Sequence, residues 1–409
     1  MTQTLSARAL RTAFSTRREI ALLDLRTEAL FASAHPLFAA QITPETLELE
    51  LEARVPRKDT PVVFYDDGSG LLSPAVERAR KHGYSQVYAL ADDLTGWRSE
   101  GFELFQDVNS YSKAFGELVE SRRHTPAVTA QDLQAWIDKR ANIAILDARR
   151  FDEYHTMSIP TGTSVPGAEL VLRARALAPD PSTTIVVNCA GRTRSIIGAQ
   201  SLVNAGVPNP VFALRNGTIG WTLAGQKLET GQERRSPLLA ADDTAQARQR
   251  ARAVAYRAGV RQLSTAELAS LELDTSRTLY RFDVRSPEDY AAGHIRGFSQ
   301  APGGQLVQET DMFAPVRGAR IVLADDLQAR ADMSGSWLAQ MGWDVYVLRD
   351  GTYDETGAQA VRPRSQVGRY KRPYEGTDNP VAAMQAYLDW EYGLVEQLER
   401  DGTHGFFVI

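Results

Sequence analysis

An internal triplication narrows the possible folds of this chain more than any other feature. Residues 21–26, 144–149 and 279–285 each end an apolar run in Asp-x-Arg, at Asp24, Asp147 and Asp283. Forty-two residues after each of these aspartates a second apolar run ends, before Asp66, Cys189 and Asp325. Seventeen residues further on, every copy has a glycine, Gly83, Gly206 or Gly342, which closes a stretch of helical periodicity and precedes a third β-rich run. A Gly-Trp pair then follows in the first two copies, Gly96-Trp97 and Gly220-Trp221, and not in the third. Repetition at fixed spacing means that one supersecondary plan is used three times.

Within each copy, short runs of β-branched and aromatic residues alternate with amphipathic stretches that end in glycine. That order predicts a parallel sheet with helices on both faces. The expected fold class is therefore α/β: three tandem domains of this kind, plus a helical C-terminal tail. The expected divisions are residues 1–121, 122–235, a helical linker at 236–260 with Asp242 and Asp243 near its start, 261–352, and an extension at 353–409 with one helix. In that extension Met384, Tyr387, Leu388, Glu391, Leu394, Val395 and Leu398 recur at largely helical spacing, which predicts a helix packed on another domain or subunit rather than a ligand site.

Composition removes several function classes. With 43% hydrophobic and 24% charged residues and a net charge of -5, the 409-residue chain has the makeup of a globular protein and lacks the positive excess of a nucleic-acid binder. No stretch approaches the run of about 20 apolar residues that a membrane span requires, and the polar, arginine-interrupted N-terminus carries no signal-peptide pattern. The expected location is the cytoplasm, with neither nucleic acid nor membrane as partner. A single cysteine excludes an intramolecular disulfide, and the six histidines show no zinc-ligand spacing, so no cofactor or metal is expected.

The segment that carries chemistry is Asn188-Cys189-Ala190-Gly191-Arg192-Thr193-Arg194-Ser195, between a buried strand and a helix expected over 195–205. The carboxyl end of a parallel strand is where open α/β sheets place ligands, and backbone N–H groups converge there as the chain turns into the helix. The helix terminus and the two guanidinium groups, Arg192 and Arg194, favour a thiolate. The same donors would hold an outer sulfur or a small dianion, and Gly191 lets the backbone approach it. A lone cysteine at a strand end is more often an inert small hydrophobe. Two cations at a helix N-terminus, however, oppose the helix dipole and call for an anion nearby.

The three units, each with Asp-x-Arg, a strand-end position and a closing glycine, resemble rhodanese domains over about residues 5–351. The third copy adds Asp289-Tyr290-Ala291-Ala292-Gly293-His294-Ile295, similar to a motif of that family. The resemblance implies a six-residue active loop, residues 189–194, that begins with a persulfide-forming cysteine, Cys189. Ala190, Gly191, Arg192, Thr193 and Arg194 would bind substrate; Asp147, Arg149 and Ser195 would support the loop. It also implies that the first and third units, with Asp66 and Asp325 at the cysteine position, form no persulfide; their carboxylates, followed by Asp67 and Asp326, should repel anionic donors. The implied activity is sulfur transfer from thiosulfate or a related small anionic donor to a thiol or cyanide acceptor.

The loop sequence matches neither the thiosulfate-type nor the mercaptopyruvate-type loop of the family, which leaves the donor open, and a homodimer is possible. One alternative is a partner-binding or scaffold protein of the same fold. Another is a cysteine phosphatase, which the Asn188 before the cysteine and the Ser195 in place of a distal arginine disfavour.

Overall fold

The computed structural model describes residues 3–359, 368–372 and 374–409. Its three sheets follow one plan. In the central unit the strands run Ala127–Val128, Val211–Leu214, Thr184–Asn188, Ile143–Asp147 and Thr163–Ser164 in spatial order, all parallel. The third unit repeats this with Arg261–Leu263, Asp344–Leu348, Arg320–Ala324, Leu279–Asp283 and Ser299–Gln300. In the first, Thr4–Leu5, Val87–Leu90, Val62–Tyr65, Ile20–Asp24 and Ala39–Gln41 take the same places. The central strand of each sheet is an almost unbroken apolar run because both of its faces are covered.

The glycine of each repeat ends the helix that follows the strand-end loop, with φ of +93°, +64° and +88° at Gly83, Gly206 and Gly342. Only this residue takes the left-handed C′ position without a Cβ penalty. The helix after Cys189 spans Thr193–Asn204. It begins two residues earlier than the expected 195–205, since the end of the active loop is already helical. The linker forms the helix Ala241–Arg257, whose alanines pack against Leu170–Leu177 and Ala329–Gln340 of two different units.

The units are not beads on a string. Val316–Arg317 of the third unit pairs antiparallel with Ile20–Asp24, adding a strand to the first sheet. Helix Ser110–Arg123, between the first two units, buries Phe115 against Trp337 and Phe406. Its Gly116 lies so close to Thr193 that a Cβ would stand 2.8 Å from the threonine methyl carbon. Among its described residues the C-terminal extension carries two helices where one was expected, Pro380–Tyr392 and Leu394–Asp401, with Gly393 between them. Among the described residues no helix is long and apolar enough to cross a membrane.

Candidate active site

The Asp-x-Arg repeat has one structural task in all three units. Asp147, Asp24 and Asp283 pair in register with Asn188, Tyr65 and Ala324, the residues just before the cysteine position. Arg149 Nε and Nη2 donate to the two Asp147 oxygens at 2.9 and 2.7 Å, and Nη2 also donates to the carbonyl of Met157. Arg26 makes the same bonds to Asp24 and to the Ala34 carbonyl, and Arg285 to Asp283 and the Gly293 carbonyl. Each arginine thus clamps a carbonyl eight residues further on. In the central unit Asn188 Nδ2 adds a 3.0 Å bond to Asp147.

The first and third units show what the strand-end loop holds. The Asp66 carboxylate accepts from the N–H groups of Gly68, Leu71 and Leu72 at 2.9, 2.8 and 3.2 Å. Asp325 accepts from Leu327, Arg330 and Ala331 at 3.2, 2.8 and 3.3 Å. In both, the donors lie two, five and six residues after the aspartate, so the loop is a cradle for a negative group and the carboxylate fills it. The aspartates thus occupy these loops themselves, and each leaves a carboxylate where the central unit has its thiol. Arg330 also donates to Asp325 through Nε at 2.9 Å, and the same guanidinium pairs with Glu169, Asp289 and Asp326.

At the same three offsets the central unit presents the N–H groups of Gly191, Arg194 and Ser195. Arg194 and Ser195 lie in the first helical turn, whose N–H groups have no intrahelical acceptor. Loop orientation is fixed from behind: Thr218 and Ile219, at the start of helix Gly217–Leu223, donate to the carbonyls of Cys189 and Ala190, each at 2.9 Å. With those carbonyls turned back, the N–H groups of the same two trans peptide units, Ala190 and Gly191, face the other way. Gly217 makes this approach possible, with φ of +52°; a Cβ there would collide with the Cys189 carbonyl and stand 2.8 Å from that of Gly191. Sequence reasoning passed over Gly217, although the pair Asn216-Gly217 after a β run is a turn signal.

Cys189 is only 2% exposed, yet it lies on the wall of a polar cavity of about 360 Å³ that all of 189–194 line. Its Sγ stands 3.3 Å from Ser195 Oγ, which in turn donates to the Arg192 carbonyl at 2.8 Å. The thiol is therefore covered but not sealed in an apolar core.

The arginines do not both turn to the sulfur as expected. Arg192 is held by Glu117, both contacts being 2.7 Å, and donates to Asn216 Oδ1, while the ring of Tyr392 lies 3.9 Å from its guanidinium carbon. Burial works against its charge, but Glu117 outweighs this and keeps Arg192 more firmly protonated than usual. Arg194 forms a two-point pair with Glu153 at 2.7 and 3.0 Å. Burial acts to raise Glu153, but the Arg194 charge beside it holds that carboxyl down at about 2. Arg194 also interacts electrostatically with Cys189, so its charge is shared between the two groups. Neither glutamate was singled out from the sequence.

The cavity is assembled from the whole chain. Gln41 and Asp107 come from the first unit, Lys113 from the connecting helix, Gln305 and Gln308 from the third unit, and Tyr370, Tyr374, Tyr387 and Glu391 from the C-terminal extension. The extension was expected only to pack; it packs and also lines the site. Among the described residues, no group of three or more His, Cys, Asp or Glu side chains could hold a metal ion.

These features define a tandem α/β protein with three equivalent strand-end loops, two of which wrap an aspartate carboxylate while the third begins with the cysteine. The chain belongs to the rhodanese family: a rhodanese-like domain is matched three times, at residues 6–100, 129–224 and 265–354. A crystal structure of a thiosulfate sulfurtransferase from Pseudomonas aeruginosa is similar over 100% of both chains, at 48% identity and a TM-score of 0.96. A solution structure of a rhodanese-like domain from Anabaena is 28% identical, covering 29% of this chain and 88% of that one, with a TM-score of 0.24. Among curated proteins no sequence match was found.

Proposed function

We propose that this protein is a sulfurtransferase in which Cys189 carries sulfane sulfur as a persulfide. The observation that carries this reading is the cradle. Both sister units use the N–H groups two, five and six residues after the strand end to hold a carboxylate, and only the central unit offers that place to a thiol. In the first half-reaction the Cys189 thiolate attacks the outer sulfur of thiosulfate, the S–S bond breaks, and sulfite leaves with the bonding pair. The outer sulfur stays on Cys189 with its negative charge among the N–H groups of Gly191, Arg194 and Ser195. In the second, a thiophilic acceptor takes that sulfur and the Cys189 thiolate returns, which makes the reaction covalent and ping-pong.

On this reading Arg194 supplies positive charge near the sulfur, Arg192 braces the loop through Glu117, and Asp147 with Arg149 fixes the strand ends. Ala190 and Thr193 shape the loop. The relative from Pseudomonas aeruginosa, titled a thiosulfate sulfurtransferase, supports thiosulfate as the donor. Single-turnover mixing with thiosulfate tests the assignment: the wild-type chain should release about one sulfite per chain, and Cys189→Ser none. Continued sulfite release by Cys189→Ser would refute it.

A further inference from the structure

Helix Pro380–Tyr392 buries a carboxylate over the active loop that the steps above do not use. Glu391 is 1% exposed. Its Oε1 accepts a 3.1 Å bond from the Tyr387 hydroxyl, while its Oε2 is buried and has no hydrogen-bond partner among the described residues. Both Glu391 and Cys189 line the same cavity. Oε2 lies 3.2 Å from where a Cβ on Gly191 would stand, two residues along the loop from the sulfur.

Resting on the sulfur-transfer reading, we propose that Glu391 is a catalytic base for the acceptor half-reaction and that the acceptor is a small thiol. An idle buried carboxylate is costly, and an amide or apolar residue would serve packing better. The charged and titratable groups around it are Lys113 and Glu117 on helix Ser110–Arg123, Arg192 on the loop, Tyr387 on its own helix and Tyr374 on the preceding segment. Neither nearby cation is committed to Glu391. Lys113 pairs with Asp107 at 2.7 Å and Arg192 with Glu117 at 2.7 Å. Burial, only partly offset by Lys113, pushes the Glu391 carboxyl up to about 7, the range in which a base both accepts and returns a proton at neutral pH.

In the proposed step the acceptor R–SH gives its proton to Glu391 Oε2. The resulting thiolate attacks the outer sulfur of the Cys189 persulfide, a new S–S bond forms, and the Sγ–S bond breaks with its electron pair returning to Cys189 Sγ. The product leaves as R–S–S⁻, and the proton passes from Glu391 to solvent. Cyanide attacks as an anion with its own lone pair and needs no base, so the two acceptors separate the role of Glu391 from that of the loop.

The test uses the full chain, loaded with thiosulfate and freed of excess donor. Persulfide discharge by glutathione and by cyanide is then followed from about pH 6 to 9 in wild type, Glu391→Gln and Tyr387→Phe. The glutathione-to-cyanide rate ratio should fall roughly a hundredfold or more in Glu391→Gln, and the wild-type inflection near neutrality in glutathione discharge should vanish. Tyr387→Phe removes a hydrogen bond to the ionised carboxylate, so the inflection should move to higher pH while the ratio is largely kept. An unchanged ratio in Glu391→Gln, or equal slowing with both acceptors, overturns the proposal. Should Glu391→Gln not fold, an unmoved inflection in Tyr387→Phe does so. A wild-type chain that takes up no sulfur fails the sulfur-transfer reading itself.

Discussion

Replacing Glu153 by glutamine keeps the shape of the side chain and removes the charge that faces Arg194. Both partners are largely buried, with side-chain exposures of 15% and 18%, and the pair is two-pronged at 2.7 and 3.0 Å. Burial alone would raise the Glu153 carboxyl, yet with Arg194 beside it the value drops from an ordinary 4.5 to about 2. Each tenfold change in acid strength corresponds to about 1.4 kcal/mol, so ionised Glu153 stabilises the fold by about 3 kcal/mol at pH 7. Because the folded carboxyl is the stronger acid, this contribution is complete above the unfolded value and is lost as pH falls from about 4.5 toward 2.

Urea unfolding of wild type and Glu153→Gln checks the magnitude and the sign together. The variant should be less stable by about 3 kcal/mol at pH 7, and the gap should narrow to about 2 kcal/mol at pH 3.5. Arg194 would also be left with Cys189 and Asp147 as its electrostatic partners, so alkylation of the thiol by iodoacetamide should accelerate at a given pH. A stability gap below about 1 kcal/mol at pH 7, or one that does not change between the two pH values, would refute the assignment of Glu153 as the counter-charge of Arg194.

Other expectations follow from individual contacts. Gly217→Ala forces a Cβ against the carbonyls of Cys189 and Gly191 at a positive φ; it should destabilise the chain by about 1–3 kcal/mol in urea unfolding and lower sulfite release far more than Gly225→Ala, whose site is open. Asp66→Ala leaves three N–H groups without their carboxylate, and should cost about 2–4 kcal/mol by the same measurement. Asp311 is buried with Oδ1 unpartnered, and burial pushes its carboxyl up to about 7. The folded carboxyl is the weaker acid, so wild-type stability falls as pH climbs from the unfolded value toward the folded one, and Asp311→Asn should gain on wild type by about 3 kcal/mol more at pH 8 than at pH 5.

The sequence revealed what local pattern and repetition encode. The Asp-x-Arg register, the strand-end loop and the helix-closing glycines are each built from residues within one unit, and their spacing recurs three times. The pairs that hold the loop arginines were hidden, because Glu117 is 75 residues from Arg192 and Glu153 is 41 from Arg194, and each lies on a different element. No periodicity marks such a partner. Likewise the spacing of Tyr387 and Glu391 showed a helix and a face, but nothing in the tail said that this face would close over Gly191. Asp66 and Asp325 could be read from sequence only as negative charges at the cysteine position; that loop N–H groups two, five and six residues on would wrap each carboxylate depends on loop geometry that no pattern spells out.

On the proposed reading the Cys189 thiol carries the sulfur. Intact-mass measurement of the full chain after incubation with thiosulfate tests it most directly, with Cys189→Ser alongside. Wild type should gain about one sulfur atom, mapped to Cys189, that is removed by cyanide and absent from the variant. An unmodified wild-type mass, with sulfite appearing in solution all the same, would contradict it.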